Sequence, residues 1–132
     1  MPNIIGYLRP DIDGQNVQSQ LDQLKAAGAI NIVQEKPAGT KRNRSQLDNL
    51  IAGARVGDTV MVTSLDRIAH NTTHLLEVVE SLNAVGAIFK VIDNGIDTST
   101  PQGEVLRLLL VSITDFERQV VRERQAMGIA KA

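Results

Sequence analysis

Three arginines, Arg9, Arg44 and Arg67, are the side chains of this 132-residue sequence best suited by type and placement to chemistry. Arg9 follows one short apolar run, Arg67 with Asp66 follows another, and Arg44 stands between a basic loop and a helical pattern. Converging guanidiniums meet one chemical need well. They grip a phosphodiester through paired hydrogen bonds and stabilise the charge that builds on it in a transition state. Taken singly, each reads first as a solvated surface cation. His70 and His74 share an i, i+4 spacing, but a metal needs a third ligand and no HExxH-like pattern is present. A surface role is therefore expected for His74 rather than a zinc site. There is no cysteine, which removes thiolate chemistry and disulfides.

The elements that must position these side chains follow from apolar spacing. Residues 3–8 read as a buried strand, residues 30–34 as a second strand and residues 59–63, β-branched, as a third; residues 87–92 give a fourth. Between them, residues 15–28 carry Val17, Leu21 and Leu24 on one helical face and end at Gly28. Leu47, Leu50, Ile51 and Ala54 mark a second helix stopped near Gly57, and residues 72–85 a third, with Leu75, Leu76, Val79 and Leu82 inward and Gly86 closing it. Residues 36–43 read as a loop, and the stretch from Asp93 to Gly103 is rich in turn formers. Strands alternating with helices predict one α/β domain over 1–132, with a mainly parallel four- to five-stranded sheet covered by helices. In such a sheet the site lies at the carboxyl ends of the strands, where Arg9 and Arg67 fall.

A last helix is expected from about 103 to 130. Val105, Leu106, Leu109, Ile113, Phe116 and Val120 form a broad apolar stripe, extended by Leu108, Leu110 and Val121. Packing on the helix's own sheet and an interface with a second subunit account for it equally well.

Hydrophobic residues make up 42% of the chain, so a folded core is expected, and aromatics only 2%, so aliphatic side chains must fill it. So few rings argue against binding single strands by base stacking. The formal net charge of −1 gives no general support for nucleic-acid binding, which usually comes with a basic excess. The distribution says more: Lys36, Lys41, Arg42 and Arg44 fall within nine positions. The opening residues lack the pattern of a signal peptide and no apolar run is long enough to span a membrane, so a cytoplasmic location is expected, nucleoid-associated if the protein holds DNA.

Several ordered motifs then converge. Gly6-Tyr7-Leu8-Arg9 is followed by Gln15 and Gln20; Glu35-Lys36 leads to Gly39-Thr40 and Arg44; Gly57-Asp58-Thr59 leads to Leu65-Asp66-Arg67. Asp97-Thr98-Ser99-Thr100-Pro101 precedes Gly103, and Phe116-Glu117-Arg118 precedes Arg122-Glu123-Arg124. Over nearly the whole chain this order resembles the N-terminal catalytic domain of the resolvase/invertase family of serine site-specific DNA recombinases. The resemblance implies a prokaryotic enzyme whose serine attacks a phosphodiester of double-stranded DNA, forming a 5′-phosphoserine with no metal and no cofactor. It implies that Arg9, Arg44 and Arg67 hold the scissile phosphate, that Asp66 orients an arginine or assists proton transfer, and that Gln20 supports the site. Lys41, Arg42 and Arg124 would contact DNA, with Arg124 and Glu123 on a helix that joins subunits into a dimer or tetramer.

Three departures qualify the expected activity. The family's serine stands two residues after its motif arginine, and Asp11 occupies that position here. An Asp11 carboxylate repels the substrate, and an acyl phosphate lies higher in energy than a phosphoserine; Asp11 could also pair with Arg9 or Arg67 in the phosphate's place. His70 stands where the family has a further arginine, and lacks the planar fork and the constant charge. The family usually continues into a helix-turn-helix domain, which these 132 residues do not include. The expectation is a recombination domain impaired or inactive in strand cleavage, whether its relatives invert, resolve or integrate DNA. The alternative is a non-catalytic paralogue, a pseudoenzyme serving as dimerisation, scaffold or regulatory module, able to pair with an active recombinase. An unrelated small-molecule binder is disfavoured by the lack of a Gly-rich phosphate loop.

Overall fold

The computed structural model describes residues 3–10, 17–35, 45–69 and 71–131, and of Ser45, Asp66 and residues 129–131 the backbone only. The elements run β1 (Ile4–Leu8), α1 (Val17–Ala26), β2 (Asn31–Gln34), α2 (Ser45–Gly53), β3 (Thr59–Val62), α3 (Leu65–Ile68), α4 (Thr72–Ala84), β4 (Ile88–Val91), β5 (Ile96–Asp97) and α5 (Pro101–Lys131). The strands form one sheet in the order β2-β1-β3-β4-β5. The first four are parallel, and β5 pairs antiparallel with β4 through Lys90 with Asp97 and Val91 with Ile96.

Alternation along the strands divides the core between the two faces of the sheet. Tyr7 of β1, Val60 and Val62 of β3, and Phe89 and Val91 of β4 share one face with Leu47 and Leu50 of α2, Leu75, Val78, Val79 and Leu82 of α4, and Leu110 of α5. Leu8 and Met61 point the other way, onto Leu24 and Leu21 of α1. β3 is buried at every position, as the central strand of a doubly covered sheet must be. Gly6 lets α1 come close: a Cβ there would stand 3.0 Å from the Ile32 side chain and 3.1 Å from that of Leu24.

The expected α/β architecture is the observed one, with three local differences. The fifth strand lies inside the stretch read as turns; two residues carry no periodicity, and only the neighbouring β4 edge makes them a strand. The short helix α3 was not expected, because one turn is too brief to show a helical period. α5 starts at Pro101 rather than near 103, with the Thr100 hydroxyl accepting from the Gly103 amide and donating to the Asp97 carbonyl. Proline suits that first turn because its missing N–H would have no intrahelical partner. Gly103 is required by close approach: a Cβ there would collide with the Asp97 carbonyl oxygen and lie 2.5 Å from the Thr98 Cα, both of them backbone.

The apolar stripe of α5 divides. Leu106, Leu110 and Thr114 turn towards the core, and the helix is tied to α4 by Arg107 with Glu80 and by the Thr72 hydroxyl donating to Glu117. Val105, Leu109, Ile113, Phe116 and Met127, at helical spacing on another face, are exposed; Val105 is 56% exposed and Phe116 65%. Of the two open accounts of the stripe, packing on the home sheet therefore fails for most of it. No helix among the described residues is long and apolar enough to cross a membrane.

Candidate active site at the carboxyl edge of the sheet

The sheet order reverses at β1, whose neighbours are β2 on one side and β3 on the other. In an open α/β sheet the crevice outside the carboxyl ends at such a point is the usual place for a ligand. Two of the arginines stand there. Arg9 follows β1 directly, and Arg67 lies in α3, which begins three residues after the end of β3.

Arg9 is fixed through its backbone. Gln20, on the inward face of α1 and 3% exposed, accepts from the Arg9 amide at 3.3 Å and donates to the Arg9 carbonyl at 2.9 Å. The amide of a single side chain thus satisfies both backbone groups of a residue just past a strand end, where the sheet no longer supplies partners. The Arg67 guanidinium reaches the same carbonyl, with Nη1 at 3.5 Å from the Arg9 oxygen. That is a long contact, but it brings the two cationic residues to one spot, 58 positions apart in the chain. α3 is started by Ser64 in extended conformation, and the Ser64 carbonyl accepts from the Arg67 amide.

On the other side of β1 the edge holds a buried carboxylate. Glu35, just after β2 and 1% exposed, accepts from the Tyr7 hydroxyl at 2.8 Å, from the Gln46 amide at 3.0 Å and from the Leu47 amide at 3.2 Å. It therefore occupies the N-terminus of α2, where the helix dipole and unpaired amides favour an anion. Neither Tyr7 nor Glu35 stands out as a site residue in the sequence, although both lie within motifs that carry the family resemblance. A glutamate beside a strand end gives no sign of burial until the strand and helix that enclose it are in place.

Of the other expected site residues, Asp11, Lys41, Arg42, Arg44, His70 and the Asp66 side chain lie outside the described residues. So does the expected pairing of Asp11 with Arg9 or Arg67. Arg124 is exposed on α5. His74 is half-buried rather than on the open surface: it lines a groove between α2 and α4 with Asp48 and Glu77, and its amide donates to the Asn71 side chain that caps α4. Among the described residues no group of three His, Cys, Asp or Glu side chains could hold a metal ion.

A polar cluster at the start of α5 has shifted ionisation. Burial pushes the Asp97 carboxyl up, but hydrogen bonds from the Ser99 hydroxyl and amide, together with Lys90, outweigh it and hold it below the usual carboxylate range. Hydrogen bonding to Arg107 lowers Glu104, and Glu104 with Glu80 raises Arg107. This cluster anchors α5 and lies outside the arginine edge.

The same fold recurs in known proteins. The family model described as the N-terminal domain of resolvases matches residues 4–132. The Tn917 transposon resolvase of Enterococcus faecalis is 36% identical over 129 residues, covering 98% of this chain and 70% of that protein. A probable DNA-invertase of Sinorhizobium fredii is 37% identical over 129 residues, covering 98% of this chain and 42% of that protein. Among solved structures, the N-terminal catalytic domain of TP901-1 integrase superimposes with a TM-score of 0.74 at 26% identity, over 89% of this chain and 98% of that one.

Proposed function

The chain belongs to the resolvase family of serine site-specific recombinases, and from that premise we propose that its carboxyl edge binds a phosphodiester of double-stranded DNA without cutting it efficiently. The observation that carries the reading is the meeting of Arg67 with the Arg9 backbone, which Gln20 holds by two hydrogen bonds. Two guanidinium-bearing segments share one edge, and Arg44 immediately precedes α2 in the chain. Lys41, Arg42 and Arg124 add phosphate contacts along the duplex, fixing position rather than reading sequence.

Cleavage fails at the nucleophile. In the reaction expected of the family, a serine oxygen bonds to phosphorus, the 3′-oxygen leaves with a proton, and the phosphoserine keeps the energy needed for rejoining. Asp11 stands at the serine's position. Its carboxylate brings negative charge to a phosphate site, and a mixed anhydride from its attack would hydrolyse rather than religate. His70, in place of an arginine, removes a further donor, which costs about 10²–10³-fold in rate.

The test is reversion. Asp11→Ser, alone and with His70→Arg, is fused to a helix-turn-helix domain and given a recombination-site duplex. Covalent protein–DNA product in the reverted protein, and none in the parent, is the expected result. A folded double revertant that stays silent would mean that the arginine edge is inherited without its chemistry.

A second reading, a non-catalytic module that pairs with itself or with an active recombinase, is favoured by the exposed apolar face of α5. It is compatible with the first, since a domain that holds DNA and self-associates without cutting would occupy a site in a silent complex. The domain assignment that follows is one catalytic-type unit over 1–132, with α5 as its association helix.

A further inference from the structure

Glu35 carries an inference that rests on the phosphodiester reading and adds a residue to it. We propose that the buried Glu35 carboxylate, with the Tyr7 hydroxyl, is a positioning device that sets the distance between the β1 and α2 segments next to Arg9 and Arg44. One carboxylate oxygen holds the Gln46 amide; the other is shared by the Leu47 amide and the Tyr7 hydroxyl. Tyr7 lies two residues before Arg9 and is itself fully buried. Gln46 lies two residues after Arg44, so the clamp acts within about 7 Å of chain on either side.

A purely structural account would satisfy this helix end more simply. A serine or aspartate at the N-cap would serve α2 from within its own segment. Here the cap comes from the end of β2, 11 positions away in sequence, and reaches a third element through Tyr7. There is also an electrostatic consequence. A free helix N-terminus at this edge would attract the phosphate to itself. With Glu35 filling it, the anion site at α2 is closed, and the phosphate is left to the guanidiniums.

The test uses the full chain labelled with ¹⁵N, comparing Glu35→Gln and the milder Tyr7→Phe with the parent. Two readings are taken: the Nε–Hε resonances of the arginines, with Arg107 as internal reference, and the salt dependence of binding to a duplex oligonucleotide. Positioning predicts that both variants shift or broaden Arg9 and Arg44 while Arg107 stays. It also predicts that the slope of log K against log salt falls by about 0.9 for each phosphate no longer neutralised. Faster exchange of the Gln46 and Leu47 amides with unchanged arginine resonances and salt slope would make Glu35 a helix cap only and overturn the proposal. If Glu35→Gln does not fold, Tyr7→Phe, which removes one oxygen, decides alone. A parent chain that binds no duplex would defeat the phosphodiester reading, while the arginine resonances would still judge the clamp.

Discussion

Replacing Phe116 by alanine should weaken self-association of this domain without disturbing its fold, and the size of the effect can be worked from the exposure of α5. The helix has 31 residues and so runs about 46 Å, far longer than the α4 surface it packs on. Val105, Leu109, Ile113, Phe116 and Met127 each keep roughly half or more of their surface in water. Full burial of such a side chain contributes about 1.5–3 kcal/mol, so covering the remaining half gives about 1 kcal/mol each. A two-fold pair covering all five on both chains gains about 10 kcal/mol, against an association cost of about 4–15 kcal/mol. The two are close in size. At the low end of that cost about 6 kcal/mol remains, a Kd of roughly some tens of micromolar, so any dimer built on this face alone is weak and every residue on it counts. Phe116→Ala removes about 1–1.5 kcal/mol from each side, which raises Kd by about 30- to 150-fold. Because Phe116 is 65% exposed, the monomer's stability should change by no more than about 0.5 kcal/mol. Sedimentation equilibrium across a concentration series, with thermal unfolding as the control for folding, measures both. A chain that stays monomeric at about millimolar concentration, or a variant with the parent's Kd, would refute the reasoning.

Three other outcomes are expected. Gly103→Ala places a methyl against the Asp97 backbone, which cannot yield as a flexible side chain would, so α5 must lift from β5; chemical denaturation should show a loss of about 3 kcal/mol or more, and a loss under about 1 kcal/mol would contradict the close approach. Gln20→Leu removes both hydrogen bonds to the Arg9 backbone in a buried setting and should cost about 2–4 kcal/mol, with urea midpoints as the measure and an unchanged midpoint counting against the clamp. Asp97 is held below its ordinary value in the folded state, so its contribution to stability is complete above 3.8 and is lost as pH falls through that value to the lower folded one. Unfolding temperatures measured from about pH 6 down to about pH 2 should fall less steeply for Asp97→Asn than for the parent, and parallel curves would remove this carboxylate from the acid limb.

The alternation of apolar runs and helical faces was enough to determine a mainly parallel α/β sheet, because the composition of the central strand reflects burial on both faces and each helix's spacing reflects burial on one. The residue types at the strand ends, and Asp11 two places after Arg9, were likewise present in the chain before any folding was considered. What tertiary structure alone decided involves partners distant in sequence. Two residues at Ile96–Asp97 became a strand only beside β4. Gln20, which the family resemblance marks only as a support of the site, becomes a clamp on the Arg9 backbone when α1 packs against the end of β1. Glu35, which stands in the sequence just before the loop at 36–43, is buried because Tyr7 and the first turn of α2 come from elsewhere to meet it. The apolar stripe of α5 has no inside or outside until α4 and β5 take one face and leave the other to water. Local periodicity records how much of an element is buried. Which buried polar group finds which partner depends on segments brought together from across the fold, and no window of sequence contains them both.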